Sequence, residues 1–419
     1  MAPAERESEL RMTDAGRDET TYGPRQRRAL QSVAAQFFVN GVVFASFVPR
    51  LPEIRDRIDV DVGTLGLLLT VGGTGGLVGS ALCGPAVSRF GSRATMVGGG
   101  LALVATLPVI GFATVPAVFL FGLVGLHLFD VLTDVAMNIQ GSRLSALRPA
   151  PVMQRLHGLW SVGAVVGGLA ATQIAAAGVS LSIHLFGVAV ILIITMAFVA
   201  PGLLPTDVTP APRASATSES ASGQRTSWDR GLLLLAVMGA AAMTMELVAS
   251  DWASFRLADD LEVGGGRAGF GFVAFASGMV LGRLGGDAVV SRLGGARMFR
   301  YGIVLAVAGL VWATLVPAVA VSLLGFFVAG TGIAVLFPQL YDEAAKAPGR
   351  PGAGLGMLTG GQRLAVLVMP AVVGSLANTA ALSIGEAMAI VTLPSAIVLL
   401  AVHRAASAAR GPIRVRSSR

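Results

Sequence analysis

The sequence predicts an all-α membrane protein with twelve transmembrane helices, arranged as two pseudo-symmetric six-helix bundles. Three observations carry this. Of 419 residues, 54% are hydrophobic and 13% charged, with a mean hydropathy of +0.73; a soluble domain carries about 25% charged residues. The apolar residues gather into long runs of the roughly twenty residues that cross a bilayer. Finally, a Ser-Arg-x-Gly turn at Ser88-Arg89-Phe90-Gly91 returns 203 residues later as Ser291-Arg292-Leu293-Gly294. The same offset relates Gly66 to Gly269 and Gly79 to Gly282. Three landmarks at one spacing indicate a duplicated architecture.

The runs lie near 29–48, 62–84, 94–112, 116–138, 157–178, 181–200, 231–253, 268–287, 300–316, 319–340, 353–376 and 381–402. Residues 1–28 are polar and charged, without the apolar core and small-residue cleavage site of a secretory signal. They read as a disordered cytoplasmic tail. Residues 201–230 are rich in Pro, Ser, Thr and Ala and read as a flexible cytoplasmic linker. Six runs precede it (29–200) and six follow (231–402), ahead of a basic tail at 403–419. The one cysteine, Cys83, excludes an intrachain disulfide and reads as an inert packed thiol.

The net charge of +7 does not point to nucleic acid, because of where it sits. Basic residues cluster in alternate loops, among them Arg25, Arg27 and Arg28, then Arg89 and Arg93, then Arg292, Arg297 and Arg300. This is the positive-inside pattern. It places both termini in the cytoplasm and so requires an even number of spans.

Two six-helix halves repeated in parallel are a known plan of secondary transporters. The motifs name the resemblance. Gly84-Pro-Ala-Val-Ser88-Arg89-Phe-Gly91-Ser-Arg93 resembles the signature of the major facilitator superfamily between spans two and three, with Ser88 where that signature has an acid. Gly282-Arg283-Leu-Gly-Gly-Asp287 before Ser291-Arg292 is the second-half counterpart. Within the superfamily, Asp134-Val-Ala-Met-Asn138, His157-Gly-Leu-Trp160-Ser-Val-Gly163 and the stretch Glu246 to Trp252 are similar to the fucose-permease-like group and its bacterial inner-membrane relatives. The resemblance implies a multi-pass protein of the bacterial plasma membrane, monomeric by default, moving a small solute with protons. Drug antiporters of the superfamily carry an Arg in span four and a Gly-Pro pair in span five; this chain has neither.

Ionisable groups inside hydrocarbon are costly and need a partner or a task. The densest set is in span four, where His127, Asp130, Asp134 and Asn138 follow at steps of three, four and four and so share one helix face. An imidazole titrates near neutrality, and with two acids it forms a candidate proton relay. The alternative is a polar network gluing helices together. In the resembling group, acids on spans one and four couple proton entry to sugar binding. Asp134, and with it Asp130, match the span-four role, while span one offers Asn40 and Gln36. Glu246 on span seven is a further intramembrane acid, and aligning Arg50 with Arg256 sets it opposite Asn40.

Asn40, Gln36, Asn138, His157, Trp160, Trp252 and Gln362 are the candidate solute contacts. Trp252 reads equally as an interfacial anchor, and His157 as a capping residue. Arg283 and Asp287, four apart, can pair along span eight and with Arg89, Arg93 and Arg292 read as a conformational gate. Arg363 reads as a latch to Asp342 or Glu343, or as a countercharge to Glu246. Neither metal nor cofactor is called for. No nucleophile accompanies the span-four acids, which argues against an intramembrane enzyme. The partners expected are lipid, protons and a small solute, with a sugar or polyol favoured by resemblance. Proton-driven efflux of a drug-like compound is the alternative.

Overall fold

The computed structural model describes residues 23–147, 152–205, 230–264, 266–347, 352–379 and 381–409. Most of the expected N-terminal tail, linker and basic tail lie outside these. The long helices are α1 (Pro24–Phe47), α3 (Val62–Phe112), α4 (Pro116–Ala146), α5 (Met153–Ala176) and α6 (Leu181–Val199) in the first half. Short α2 (Leu51–Arg57) follows α1. The second half has α7 (Arg230–Asp251), α8 (Phe270–Leu293), α9 (Gly295–Leu315), α10 (Val319–Ala334) with α11 (Leu336–Ala345), α12 (Ala353–Ala377) and α13 (Ile384–Ala409). Several boundaries differ from expectation, among them the ends of α4 at Ala146 and α8 at Leu293, past the expected 138 and 287. Pro24, preset for a helical first turn, starts α1 inside the expected tail, and α13 runs past 402 to Ala409.

Among the described residues, eleven helices are long and apolar enough to cross a membrane. One of them, α3, has 51 residues. At 1.5 Å per residue it would reach about 77 Å, more than twice the thickness of a hydrocarbon core. It breaks at Gly91, with φ 76° and ψ 163°, so it supplies two crossings and fits the expected twelve. Gly294 between α8 and α9 adopts nearly the same angles, φ 79° and ψ 151°. This backbone region is essentially closed to residues with a Cβ. The duplicated turn is thus a duplicated conformation, and its final glycine sets it.

The repeat extends to helix packing. A Cβ on Gly79 would strike the Leu128 carbonyl, and one on Gly282 the Thr331 carbonyl; both members of the contact shift by 203 residues. A second register governs the crossings of α1 with α5 and of α7 with α12. There Gly41 against Trp160 becomes Gly239 against Leu358, and Gly163 against Phe38 becomes Gly361 against Ala236. These four residues all shift by 198. Asn40 therefore corresponds to Met238, and not to Glu246 as the Arg50–Arg256 alignment suggests. Glu246 lies eight residues, about 12 Å, further along its helix.

We call the side bearing both chain ends the terminal side and the opposite one distal. Each half is fastened distally by a buried arginine. The Arg50 guanidinium donates to both Glu53 oxygens (2.7 and 2.8 Å) and to the Val179 carbonyl (2.9 Å), and lies 3.2 Å from His184 Nδ1. Arg256 donates to Asp260 (2.7 Å) and the Val316 carbonyl (3.1 Å). Asp260 in turn accepts the Ile384 and Gly385 N–H groups at the head of α13. Removing one member of such buried pairs leaves an uncompensated charge and is strongly destabilising.

The halves meet distally. Arg55 grips Asp259 with both terminal nitrogens, the second at 3.2 Å, and lies over the Phe255 ring. Gly66 abuts Pro370 and Gly269 abuts Thr172, and Thr70 accepts the Ala371 N–H at 3.1 Å. Midway along, Gly73 faces Leu367. Towards the terminal side some glycines of α3 and α12 have open space: nothing stands within 4 Å of a Cβ at Gly84, Gly356 or Gly360. On the opposite flank α5 and α8 stay together as far as Gly158 and Leu284. Along α3 and α12 the halves are thus packed distally and not at these terminal-side glycines, while α5 and α8 keep their contact.

Candidate functional site

The acids of α4 face inward in the first half and stay half-buried. Asn40 donates from Nδ2 to Asp130 Oδ1 at 2.8 Å, joining α1 to α4. Asn138 donates from Nδ2 to the Asp134 carboxylate (3.0 Å) and to its carbonyl (2.8 Å). The expected continuous relay is divided. His127 stacks on Phe44, ring centroids 5.9 Å apart, and among the described residues no hydrogen bond joins it to either acid. Spacing along a helix puts these groups on one face, but seven residues separate His127 from Asp134 by about 10 Å. A closer carboxamide takes each carboxylate. Gln36, fully buried, faces Gly100 and not α4, and its amide has no hydrogen-bond partner among the described residues.

The second half supplies Glu246 from α7 and Arg283 from α8, 3.5 Å apart. The guanidinium of Arg283 also donates to Ser161 Oγ on α5 and lies 5.8 Å from the centre of the Trp160 ring. One side chain thus contacts an acid of its own half and a hydroxyl and an indole of the other. Sequence spacing assigned Arg283 to a gate with Asp287. Its described contacts lie at the inter-half centre, and the Asp287 side chain, and with it that pairing, is outside the described residues. Asp251, further along α7, accepts from Ser250 Oγ at 2.7 Å.

On the terminal side of this centre, Tyr341 donates to Gln362 Oε1 at 3.0 Å. Tyr341 occupies the position that the 203-residue register gives to Asn138. The Gln362 Nε2 beside it is buried and has no hydrogen-bond partner among the described residues. Arg363 is exposed to the opening, within electrostatic reach of Asp130, Asp134 and Tyr341. In this conformation Asp342 pairs with Lys346 and Glu343 lies against His403. His157 is exposed near the start of α5, edge-on to Phe37 at 5.2 Å; it bonds neither Asn138 nor Asp134.

Trp252 lies away from the centre. It is 1% exposed and stacks on Phe255 at 5.2 Å, so in this conformation it is neither an interfacial anchor nor a rim. Among the expected gate residues, Arg93 donates to the Ala200 carbonyl after α6 at 3.1 Å, Arg89 lies over Phe90, and Arg292 is exposed. Ser88, in the place of the signature's acid, bonds back to the Pro85 carbonyl at 3.0 Å. Cys83 is half-buried and not packed away. Sequence reasoning passed over Ser161, Tyr341 and Phe44 as members of the centre. Ser161 lies inside the quoted stretch after Trp160, and Tyr341 stands at the position that the 203-residue register gives to Asn138.

Two duplicated helical bundles with ionisable groups shared between them are the plan of a secondary membrane transporter. A family model described as the Major Facilitator Superfamily matches residues 33–370. The chain belongs to that superfamily. An uncharacterized MFS-type transporter of Yersinia pestis is 27% identical over 357 residues, 84% of this chain and 90% of the relative. Membrane protein MosC of Rhizobium meliloti is 28% identical over 326 residues, 77% of each chain. Among solved structures, the nucleoside transporter NupG aligns with TM-score 0.67 at 12% identity, covering 91% of this chain and 99% of its own. The human organic anion transporter MFSD10 aligns at 0.62 and 16%, covering 91% and 99%. An inward-facing bacterial homologue of the human lysosomal transporter Spinster aligns at 0.63 and 12%, covering 91% and 96%. At these identities the structural likenesses establish the fold.

Proposed function

We propose that this major facilitator moves a small polar solute, of sugar or polyol type, across a bacterial plasma membrane by proton-coupled alternating access. Both termini are cytoplasmic in this reading, and the distally closed structure is an inward-facing state. The observation that carries it is Arg283, held at once by Glu246 of its own half and by Ser161 of the other. A group shared between halves feels both the charge on its acid and the approach of the halves. Neutralising Glu246 with a proton frees Arg283 to favour another partner, and a solute hydroxyl beside Ser161 and Trp160 is one. A ligand shifts an equilibrium only by its differential affinity for the two states; a site built from both halves has such a difference.

Asp130 and Asp134 are the proton carriers of the first half, each set by its carboxamide. Tyr341, held from behind by Gln362, borders the same opening, and the Trp160 indole offers a face for an apolar ring surface. The likeness of the Asp134–Asn138, His157–Gly163 and Glu246–Trp252 stretches to the fucose-permease-like group supports the sugar class. The departures, Asn40 for an acid on span one and Glu246 on span seven, assign the second coupling acid to the other half. The test is uptake by reconstituted vesicles against a panel of sugars, polyols and nucleosides at two external pH values. Uptake that no panel member drives, or that ignores the pH gradient, overturns the reading. Loading the vesicles instead reports export of the same solutes.

A further inference from the structure

We propose that the terminal-side end of the α8–α9 groove is a binding site for an anionic phospholipid, one that the first half of the repeat does not possess. Two recesses adjoin there on the outside of the second bundle. One, of about 240 Å³, is lined by Arg297, Arg300, Tyr301 and Val304. The other, of about 420 Å³, runs along α8 and α9, with Leu281, Gly285, Val289 and Leu305 among its walls. Tyr301, 55% exposed, lines both. The first recess is cationic and the second apolar, and they meet edge to edge. A phospholipid has that sequence of chemistries.

Neither arginine is neutralised by a carboxylate among the described residues. Arg300 is exposed and bonds through Nε to the Ala296 carbonyl at 3.3 Å, a bond that does not use its terminal nitrogens. Both sit in the first two turns of α9, at the end of the membrane span where headgroups lie. That end is cytoplasmic in the predicted topology, where anionic lipid is attracted to clustered arginine. Tyrosine prefers the same depth.

The repeat supplies the comparison. In the 203-residue register Arg297 and Arg300 correspond to Ala94 and Val97, and Tyr301 to Gly98. Gly285 and Gly286, which open the apolar valley, correspond to Leu82 and Cys83. A Cβ at Gly285 would meet nothing within 4 Å, while Leu82 projects from the first half with 47% of its surface exposed. The second half has lost the bulk that fills the valley and gained the charge that heads it. Generic lipid contact predicts no such paired difference.

The test places wild type and two variants in nanodiscs of equimolar phosphatidylglycerol and phosphatidylcholine with matched chains. Retained lipid is then counted by native mass spectrometry. Arg297→Ala with Arg300→Val, and separately Gly285→Leu, install residues that the repeat already carries in its other half. Wild type is expected to retain phosphatidylglycerol over phosphatidylcholine by roughly tenfold or more, on the basis of about fivefold for each arginine near an anionic surface. The double variant should lose that preference, and Gly285→Leu should lower retention of both lipids. Equal retention of the two lipids by wild type overturns the proposal, as does a preference that survives the arginine replacement. Thermal stabilisation by inorganic phosphate equal to that by phosphatidylglycerol, and insensitive to Gly285→Leu, would mark a plain anion site and also overturn it.

Discussion

Arg283 and Glu246 stand 3.5 Å apart on neighbouring helices of the second half, and the same guanidinium reaches Ser161 in the first half. The planar fork of an arginine holds two such partners at once, whereas a lysine ammonium on its flexible stem is a point charge. Arg283→Lys is therefore expected to slow solute uptake by roughly tenfold or more, the worth of one hydrogen bond to a charged group, at near wild-type thermal stability. Ser161→Ala should slow it less. Uptake unchanged in the lysine variant would remove Arg283 from the centre.

The distal closure includes the pair Arg55 and Asp259, five and three residues along the chain from the buried anchors Arg50 and Arg256. Their side chains retain 16% and 27% exposure, and pairs of that kind contribute about 1 kcal/mol or less. A contact that weak can open in every cycle. Arg55→Ala should raise the distally open population by about fivefold at most, from the same magnitude. Spin-label distances between Asp59→Cys and Glu262→Cys on the distal loops report it. An unchanged distance distribution would show that the pair closes nothing.

Helix crossings at glycine make a graded prediction. A Cβ at Gly361 would overlap the Ala236 backbone carbonyl, which has no rotamer to change, while one at Gly98 meets nothing within 4 Å. Overpacking of a tight contact costs about 1–3 kcal/mol. Gly361→Ala should thus lower the detergent melting temperature, and Gly98→Ala should hold or raise it, since alanine is the better helix former. Equal melting of the two variants would contradict the crossing geometry.

Asp61 caps α3 at the distal surface. Its carboxylate accepts the Thr64 N–H (2.8 Å) and hydroxyl (2.9 Å), and the backbone N–H foremost holds its carboxyl below the usual range. A lowered folded value means stability that is present above the unfolded pKa of about 3.9 and lost as pH falls through the folded one. Asp61→Ala should cost about 1 kcal/mol at pH 7, with Asp61→Asn nearly neutral. The gap between wild type and Asp61→Ala should stay constant from pH 7 to 5 and narrow only below about 4. Thermal melts across that range check it.

The fold was legible because membrane constraints are written in composition. Apolar runs gave the helices, alternating arginines gave the pattern of loops, and the Gly91 and Gly294 turns were visible as a repeat before their shared backbone angles were. The site was legible by residue type and not by partner. Spacing put His127, Asp130 and Asp134 on one face, but which donor takes each acid depends on Asn40 arriving from another helix. Arg283 was legible as a conformational residue, but Glu246 and Ser161 reach it from other helices and leave no trace in sequence spacing. The Glu246–Asn40 equivalence failed for a related reason: the halves carry two registers, 203 and 198, and only packed glycines reveal the second.

The central claim is that solute and protons move together through the acids of both halves. Its most direct measurement is solute-driven proton influx into reconstituted vesicles, for wild type, Asp130→Asn and Glu246→Gln. Wild type should acidify the lumen when a transported solute is added. Each variant should lose that influx while still exchanging labelled for unlabelled solute at equilibrium, because exchange needs the rocking site but no net proton movement. Proton influx undiminished in both variants would contradict the account.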